Sequence, residues 1–487
     1  MSETRTLKLP ETLSEEGLLV GWSLEHLQAP MPLGFNFGNP ECCPDTGFLD
    51  AIMFENRGNI LTFSGQRSAS DANCLVPAML RHPGSVISLS GSACTYRATA
   101  KARKARGDTV VLLDPYGLCS QTAATFNPFS LLDKNRDDLQ EKARALARLI
   151  CPVQATDPNT AAVSSRAQQF LAAVLLFQVL QEPPVQHTLE RTRAILFDRP
   201  QDLKRLLDLL SGSPADEVRQ AASFLSLTPP EILTAMLSYL QDQLVFLNHQ
   251  GVVEATRSTS FDLDDLVRGV PTAVFIVLPG LQSAAYERLG QLWIGTLLEA
   301  LARRMKAPPE GTLVLLDQAQ DLGGFEALLL ANNHLGAFGV HLWTIWADAE
   351  ALRSTYPQAW RRFLSEAWVL QVFGTNTMIM AQEMAALTGY PSPGDIMDLD
   401  HDEMILVLAG DNPVIAQRVN GYTDPVFARD IDQAASAEDP GNIMLPKKRS
   451  QRRFVRQEPV PHLPYMSQSQ LSHLLALGET AKRSDAD

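Results

Sequence analysis

The spacing of apolar residues changes three times along the chain, and each change marks a structural boundary. From Asn59 onward, short apolar runs alternate with amphipathic stretches. ILTF (60–63), SVISL (85–89) and TVVLL (109–113) have the length and β-branched content of strands, with helix-like segments between them. That order predicts a βαβαβ unit, and therefore parallel strands joined by right-handed crossovers. Over residues 134–258 the strand-like runs stop. Segments such as QFLAAVLLFQVLQE and PPEILTAMLSYLQDQLVFLNHQG place apolar residues three and four apart, which predicts an all-helical block. Strands return at TAVFIVL (272–278), TLVLL (312–316), VHLWTI (340–345) and WVLQVF (368–373). The expected architecture is one mostly parallel α/β domain, residues 57–133 and 259–430, whose chain detours through an all-α insertion at 134–258. Residues 1–56, rich in Pro, Gly and acids, read as an extended lead-in, and residues 431–487 as a mobile tail.

Composition agrees with a multi-unit globular protein. At 487 residues the chain exceeds one ordinary core, and its 45% hydrophobic and 20% charged content excludes wholesale disorder. Forty-one basic against 55 acidic side chains give a net charge of −14, which opposes a general nucleic-acid coat. Cys42, Cys43, Cys74, Cys94, Cys119 and Cys151 form no CxxC, and the nine histidines form no HExxH. A zinc site and a disulfide framework are therefore not expected, and a reducing cytosol is. The polar, acidic start is not a signal peptide, and the apolar stretch at 170–180 is shorter than the ~20 residues of a membrane span. The tail reverses the charge of the body. Lys447, Lys448, Arg449, Arg452, Arg453 and Arg456 place six cations within ten residues, a cluster suited to anionic lipid or DNA.

In a parallel sheet, chemistry sits at the carboxyl ends of strands, where helix N-termini point their N–H groups outward. Two places qualify: the turn Ser64-Gly65-Gln66-Arg67-Ser68-Ala69-Ser70-Asp71 after ILTF, and Asp317-Gln318 after GTLVLL. Several segments then resemble, in order, the type IV coupling proteins, the TraG/TraD-like ATPases of conjugation and type IV secretion. ILTF…RSAS…LVPAMLRHPGSVISL resembles the family's P-loop strand and helix, and VVLLDPYG…FNPFSLLD its DPFG…YNPLD segment. LDQAQDLG…GVHLWTIWADAEAL followed by FGTNTMIMAQEMAALTG resembles the family's Walker B, sensor and following helix. The resemblance runs from about Asn59 to Phe427 and implies a RecA-like P-loop NTPase-type fold with an inserted all-α domain.

Departures from the family pattern fall on the chemically demanding positions. A working loop reads GxxxxGK(S/T): glycines let N–H groups close on phosphates, the lysine spans the β and γ oxygens, and the hydroxyl holds Mg²⁺. Aligned to the family, Ser64 takes the first glycine position, Ala69 the second, Ser70 the lysine and Asp71 the hydroxyl residue. Two unit charges ~4 Å apart at an effective dielectric of ~20 repel by about 4 kcal/mol, so Asp71 alone is expected to weaken phosphate binding by roughly three orders of magnitude. The same carboxylate suits a helix N-terminus, and Asp71 reads as a cap. Asp317 keeps the Walker B position. Gln318 replaces the catalytic glutamate with an amide that cannot act as a base. Ala347 stands where the family has a glutamine sensor, and Leu89-Ser90-Gly91-Ser92-Ala93-Cys94 replaces the charged LDPKGE stretch. Arg361-Arg362 read as a solvated helix face, and Trp343, Trp346, Trp360 and Trp368 mostly as packing residues.

These residues favour a coupling-protein-like pseudo-ATPase, a scaffold or substrate-recruiting subunit with no catalytic residues, no metal and no cofactor, although ATP and Mg²⁺ belong to the family. The alternatives are an ATP-driven DNA translocase with an atypical pocket and a cargo-recruiting adaptor. The resemblance implies channel components or an active paralogue as partners, with protein or DNA as cargo. The family's N-terminal membrane hairpin has no counterpart in residues 1–56. The expected location is therefore the cytoplasm, or the periphery of the inner membrane through the basic tail.

Overall fold

The protein is seen in a computed structural model that describes residues 8–13, 17–24, 49–55, 58–65, 70–119, 122–153, 157–197, 203–279 and 284–431. The strands are β1 (Leu18–Ser23), β2 (Ala51–Phe54), β3 (Asn59–Phe63), β4 (Ser85–Ser90), β5 (Thr109–Leu113), β6 (Thr272–Val277), β7 (Thr312–Leu316), β8 (Val340–Trp346), β9 (Ala367–Val372), β10 (Glu403–Leu408) and β11 (Val414–Gln417). They form one sheet in the order β2-β1-β11-β10-β9-β3-β8-β7-β4-β6-β5. From β9 to β5 every neighbouring pair is parallel. The seven strand segments expected from sequence are these seven strands, in one sheet as anticipated.

Both faces of this parallel part are buried, which is why its strands read as continuous apolar runs. Alternate residues go to opposite sides. Leu61, Phe63, Ile87, Leu89, Val314 and Leu316 join one core cluster, whereas Ile60, Val86, Leu313 and Leu315 join the other. The second cluster is closed by Cys74, Leu75, Ala78 and Met79 from the helical segment after β3 and by Leu18 and Val20 of β1. Each fully buried aliphatic side chain contributes ~1.5–3 kcal/mol, so neither face is dispensable.

The first helices are α1 (Val76–Arg81) and α2 (Cys94–Ala105). Between β5 and β6 the described chain is helical: α3 (Leu139–Ile150), α4 (Pro158–Gln181), α5 (Leu189–Phe197), α6 (Leu203–Ser211), α7 (Asp216–Ser226), α8 (Pro230–Gln243), α9 (Gln250–Ala255) and α10 (Leu263–Arg268). Asp157 caps α4 through the Asn159 and Thr160 N–H groups at 2.9 and 3.0 Å, and Pro158 supplies its preset first turn. The apolar run at 170–180 lies in α4, whose buried residues face α3, α7 and α8. Later helices include α11 (Ala284–Leu301), α12 (Glu326–His334), α13 (Ala349–Thr355), α14 (Trp360–Ser365), α15 (Met378–Thr388) and α16 (Pro393–Met397).

Two parts of the sheet differ from expectation. Residues 1–56 are not only a lead-in, because β1 and β2 lie within them and extend the sheet as an antiparallel edge. Their apolar run is short and broken by Gly21, so it carries no alternation, and a Cβ at Gly21 would meet the flexible Met404 methyl at 2.8 Å. The hairpin β10–β11 is a second addition, antiparallel to β9 on one side and to β1 on the other.

A buried hydrogen-bonded line ties this edge to the parallel strands. Trp343 Nε1 donates to Thr62 Oγ1 at 2.9 Å, Thr62 donates to Gln371 Oε1 at 2.7 Å, and Gln371 Nε2 donates to Val20 O at 2.9 Å. Replacing Gln371 with Leu strands a buried hydroxyl and a buried carbonyl, each costing ~1–3 kcal/mol. Gln371→Leu is therefore expected to lose roughly 2–4 kcal/mol in urea unfolding. It should also speed proteolysis of the β1–β2 edge, and a loss below about 0.5 kcal/mol would show the line to be incidental.

Candidate functional site

The carboxyl ends of β3, β8, β7 and β4 are adjacent, and the residues singled out in the sequence meet there. After β3, Ser64 and Gly65 donate their N–H groups to Trp346 O and Ala347 O, both at 2.9 Å. Gly65 has φ +72°, a turn conformation open to glycine at no steric cost. Gln66, Arg67, Ser68 and Ala69 lie outside the described residues, as do Lys447 to Arg456.

The chain is described again at Ser70, which enters a wide helical turn over Asp71–Leu75 before α1. Val76 N–H reaches back to Asp71 O rather than to its ordinary partner Ala72 O, which accepts from Gly421 N–H at 2.7 Å. Asp71 is thereby turned toward the β4–α2 connection. Its carboxylate accepts from Ser92 Oγ at 2.8 Å, Thr95 Oγ1 at 2.5 Å and, more weakly, Ser90 Oγ at 3.5 Å. Asp71 stands in the first turn of its own helix, as expected, and carries a tertiary role besides. Its partners are Ser92, inside the stretch Leu89–Cys94 read as emptied of charge, and Thr95 just beyond that stretch. The S-x-S-x-x-T spacing of Ser90, Ser92 and Thr95 was the available signal.

Asp317 follows β7 and lies behind Asp71. Its backbone N–H donates to Leu89 O at 3.1 Å. The Ser70 side chain and the Gln318 backbone hydrogen-bond to its carboxylate, yet Oδ1 has no partner among the described residues. Burial first, then the neighbouring charge of Asp71, raise its pKa to about 7. The same burial, helped by Asp317, pushes the adjacent Cys74 thiol up as well. The strand ends thus bring together two buried carboxylates, with Ser70 next to Asp71 in the chain and bonded to Asp317.

Gln318 is exposed and is the one non-glycine residue at positive φ (45°) among the described residues. Such a backbone costs on the order of 1–2 kcal/mol, and the residue is solvent-exposed where the two acids are buried. Gln320, not anticipated, bridges the strand ends: its Oε1 accepts from Ala347 N at 3.3 Å. Ala347 contributes only backbone, its carbonyl going to Gly65. Among the described residues no group of three or more His, Cys, Asp or Glu side chains could hold a metal ion.

The weaker candidates fall elsewhere. Arg361 and Arg353 stack on the Trp360 ring at 5.0 and 4.9 Å, with Arg361 and Arg362 on an exposed helix face. Trp343 and Trp346 are core residues, while Trp368 is half exposed.

A family model described as type IV secretory system conjugative DNA transfer matches residues 24–391. The conjugal transfer protein TraG of Agrobacterium fabrum is 25% identical over 304 residues, 61% of this chain and 45% of that protein. The type IV secretion system-coupling protein VirD4 of Bartonella quintana is 22% identical over 312 residues, 62% of this chain and 48% of that one. The chain spans about half the length of these curated relatives. Among solved structures, the plasmid coupling protein TrwB in complex with the non-hydrolysable GTP analogue GDPNP superposes with a TM-score of 0.57 at 15% identity. That superposition covers 75% of this chain and 85% of TrwB.

The Asp317 environment sets a pH signature. Because its folded pKa lies above the ordinary 3.8, the folded state holds a proton that the unfolded chain has released between about pH 4 and pH 7. Stability from this group is therefore full below pH 4 and lost as pH rises through 7. Asp317→Asn should match the wild type near pH 4 and exceed it by roughly 4 kcal/mol near pH 8 in urea unfolding. A difference that does not grow with pH would mean that the carboxylate is charged and compensated.

Proposed function

The chain belongs to the type IV secretory system conjugative DNA transfer family, and on that premise we propose that it acts as a coupling-protein component without ATP turnover. It serves a type IV secretion or conjugation apparatus as a scaffold or substrate-recruiting subunit. The observation that carries this reading is the pair Asp71 and Asp317. Asp71 is held by the Ser92 and Thr95 hydroxyls where the family's phosphate-binding loop meets its helix. A triphosphate brought there would meet negative charge and no lysine, at a repulsive cost of about 4 kcal/mol per close charge pair. Asp71→Ser would relieve that repulsion, but Ser70 would still supply no cation. Gln318, exposed and amide-bearing, could neither accept a proton nor orient water as a carboxylate does.

The residues that would serve nucleotide in a family member serve the fold here. Ser64 and Gly65 spend their N–H groups on β8, Asp71 spends its carboxylate on the β4–α2 turn, and Ala347 is tied by Gln320. In this reading the sheet is a rigid platform, and recruitment falls to its surfaces. The partners are channel components or an active coupling-protein paralogue at the cytoplasmic face of the membrane, with protein or DNA as cargo.

Titration calorimetry with ATP and Mg²⁺ should give no heat of binding at sub-millimolar nucleotide, and single-stranded DNA should elicit no phosphate release. Micromolar affinity would overturn the reading. The combined variant Ala69→Gly, Ser70→Lys and Asp71→Thr is expected to bind nucleotide measurably while still failing to turn it over, because Gln318 remains an amide.

A further inference from the structure

The helical block holds a cavity of about 510 Å³ between α3, α4 and α7. Its walls carry three arginines, Arg144 and Arg148 one turn apart on α3 and Arg166 on α4, against a single carboxylate, Glu217 of α7. Arg144 pairs with Glu217. Among the described residues Arg148 approaches only Glu326, at 3.8 Å, and Arg166 lies over the Phe224 ring at 5.7 Å. A cationic recess is unusual on a chain whose net charge is −14.

The apolar part of the cavity is equally out of place. Helix α7 anchors itself to the core through Val218, Ala222 and Leu225. Gln220 and Phe224 lie on its other side and line the cavity. Phe224 is 43% exposed and Leu227, just beyond the helix, 83% exposed. Folding does not require a large aromatic residue there, and an exposed aromatic beside guanidiniums is the composition of an interaction anchor.

We infer that this cavity binds an acidic segment of a partner protein, with carboxylates on Arg148 and Arg166 and an apolar side chain against Phe224. Guanidinium forks match carboxylates in bidentate geometry, and Gln220 adds an amide for backbone groups. Single-stranded nucleic acid is the less fitting occupant. It wants a continuous basic groove with several exposed stacking rings, whereas this half-open recess contains Glu217 and exposes one of its two rings, Phe224, the other, Phe170, being buried. The inference goes beyond the nucleotide question, since the cavity is built from the helical block alone and keeps its chemistry whether or not the strand ends hold a ligand.

The test uses the full chain and a fluorescein-labelled peptide of Glu, Leu and Phe, read by anisotropy at low and moderate salt. A Lys counterpart peptide and an oligothymidylate serve as competitors. The wild type should bind the acidic peptide in a salt-sensitive manner and discriminate against the basic one. Arg148→Glu with Arg166→Glu should lose at least about tenfold and reverse the preference. Phe224→Ala should lose about tenfold without changing the salt dependence. Far-ultraviolet circular dichroism checks the fold, and if the double reversal unfolds, Arg166→Gln alone carries the same comparison. Equal binding by wild type and variants, no binding by the wild type, or tighter binding of oligothymidylate through the same arginines would each overturn the inference.

Discussion

A parallel sheet has to be covered on both faces, and the rest of this molecule answers to that constraint. Parallel strands cannot be joined by tight turns, so the chain must cross over a face each time. Here the crossings carry the cover with them. The segment Asp71–Arg81 closes one side together with β1, and α3, α4 and α11 close the other. The all-helical excursion between β5 and β6 is the same device enlarged, since its core is continuous with the sheet-facing cluster. Because all seven strands run the same way, their carboxyl ends form one row, and whatever the connecting turns carry is concentrated along it.

That row shows how one residue type takes different roles from its surroundings. Asp71 and Asp317 are neighbours and both are buried. Asp71 accepts from three hydroxyls, a setting that suits a charged carboxylate. Asp317 keeps an oxygen without a partner among the described residues and sits beside the charge of Asp71, so it holds its proton to about pH 7. Two carboxylates this close share the cost of burial unequally. The unequal split follows from geometry: the wide turn over Asp71–Leu75 sets Asp71 against Ser92 and Thr95, while Asp317 is fixed at the end of its strand.

Elsewhere the buried polar groups are structural ties. Arg304 reaches Leu266 O, Val267 O and Thr312 Oγ1 within 3.0 Å and stitches α10 to the start of β7. Arg103 pairs with Asp108 at 2.8 Å where α2 returns to β5, with burial lowering its pKa to about 10. Removing one partner from such a pair costs more than the pair contributes, because the other charge is then left buried. These ties hold the ends of helices to the starts of strands, the side of the sheet opposite to the acids.

Read alone, the sequence determined the parallel strands, the helical block and the altered loop residues. Each of these is a local property: a strand buried on both faces must be continuously apolar, a helix on a core must show its period, and a missing lysine is missing in any fold. It also led, through the ordered match of short segments, to the family. It could not reveal β1, β2, β10 and β11, whose runs are short and whose partners are remote. Trp22, for example, donates to Asp424, 402 positions away, at 2.9 Å. Nor could it say that Asp71 would be bonded by Ser92 and Thr95, or that three scattered arginines and Phe224 would line one recess. Those outcomes depend on which surfaces meet, and only the packing of distant segments into one core decides that.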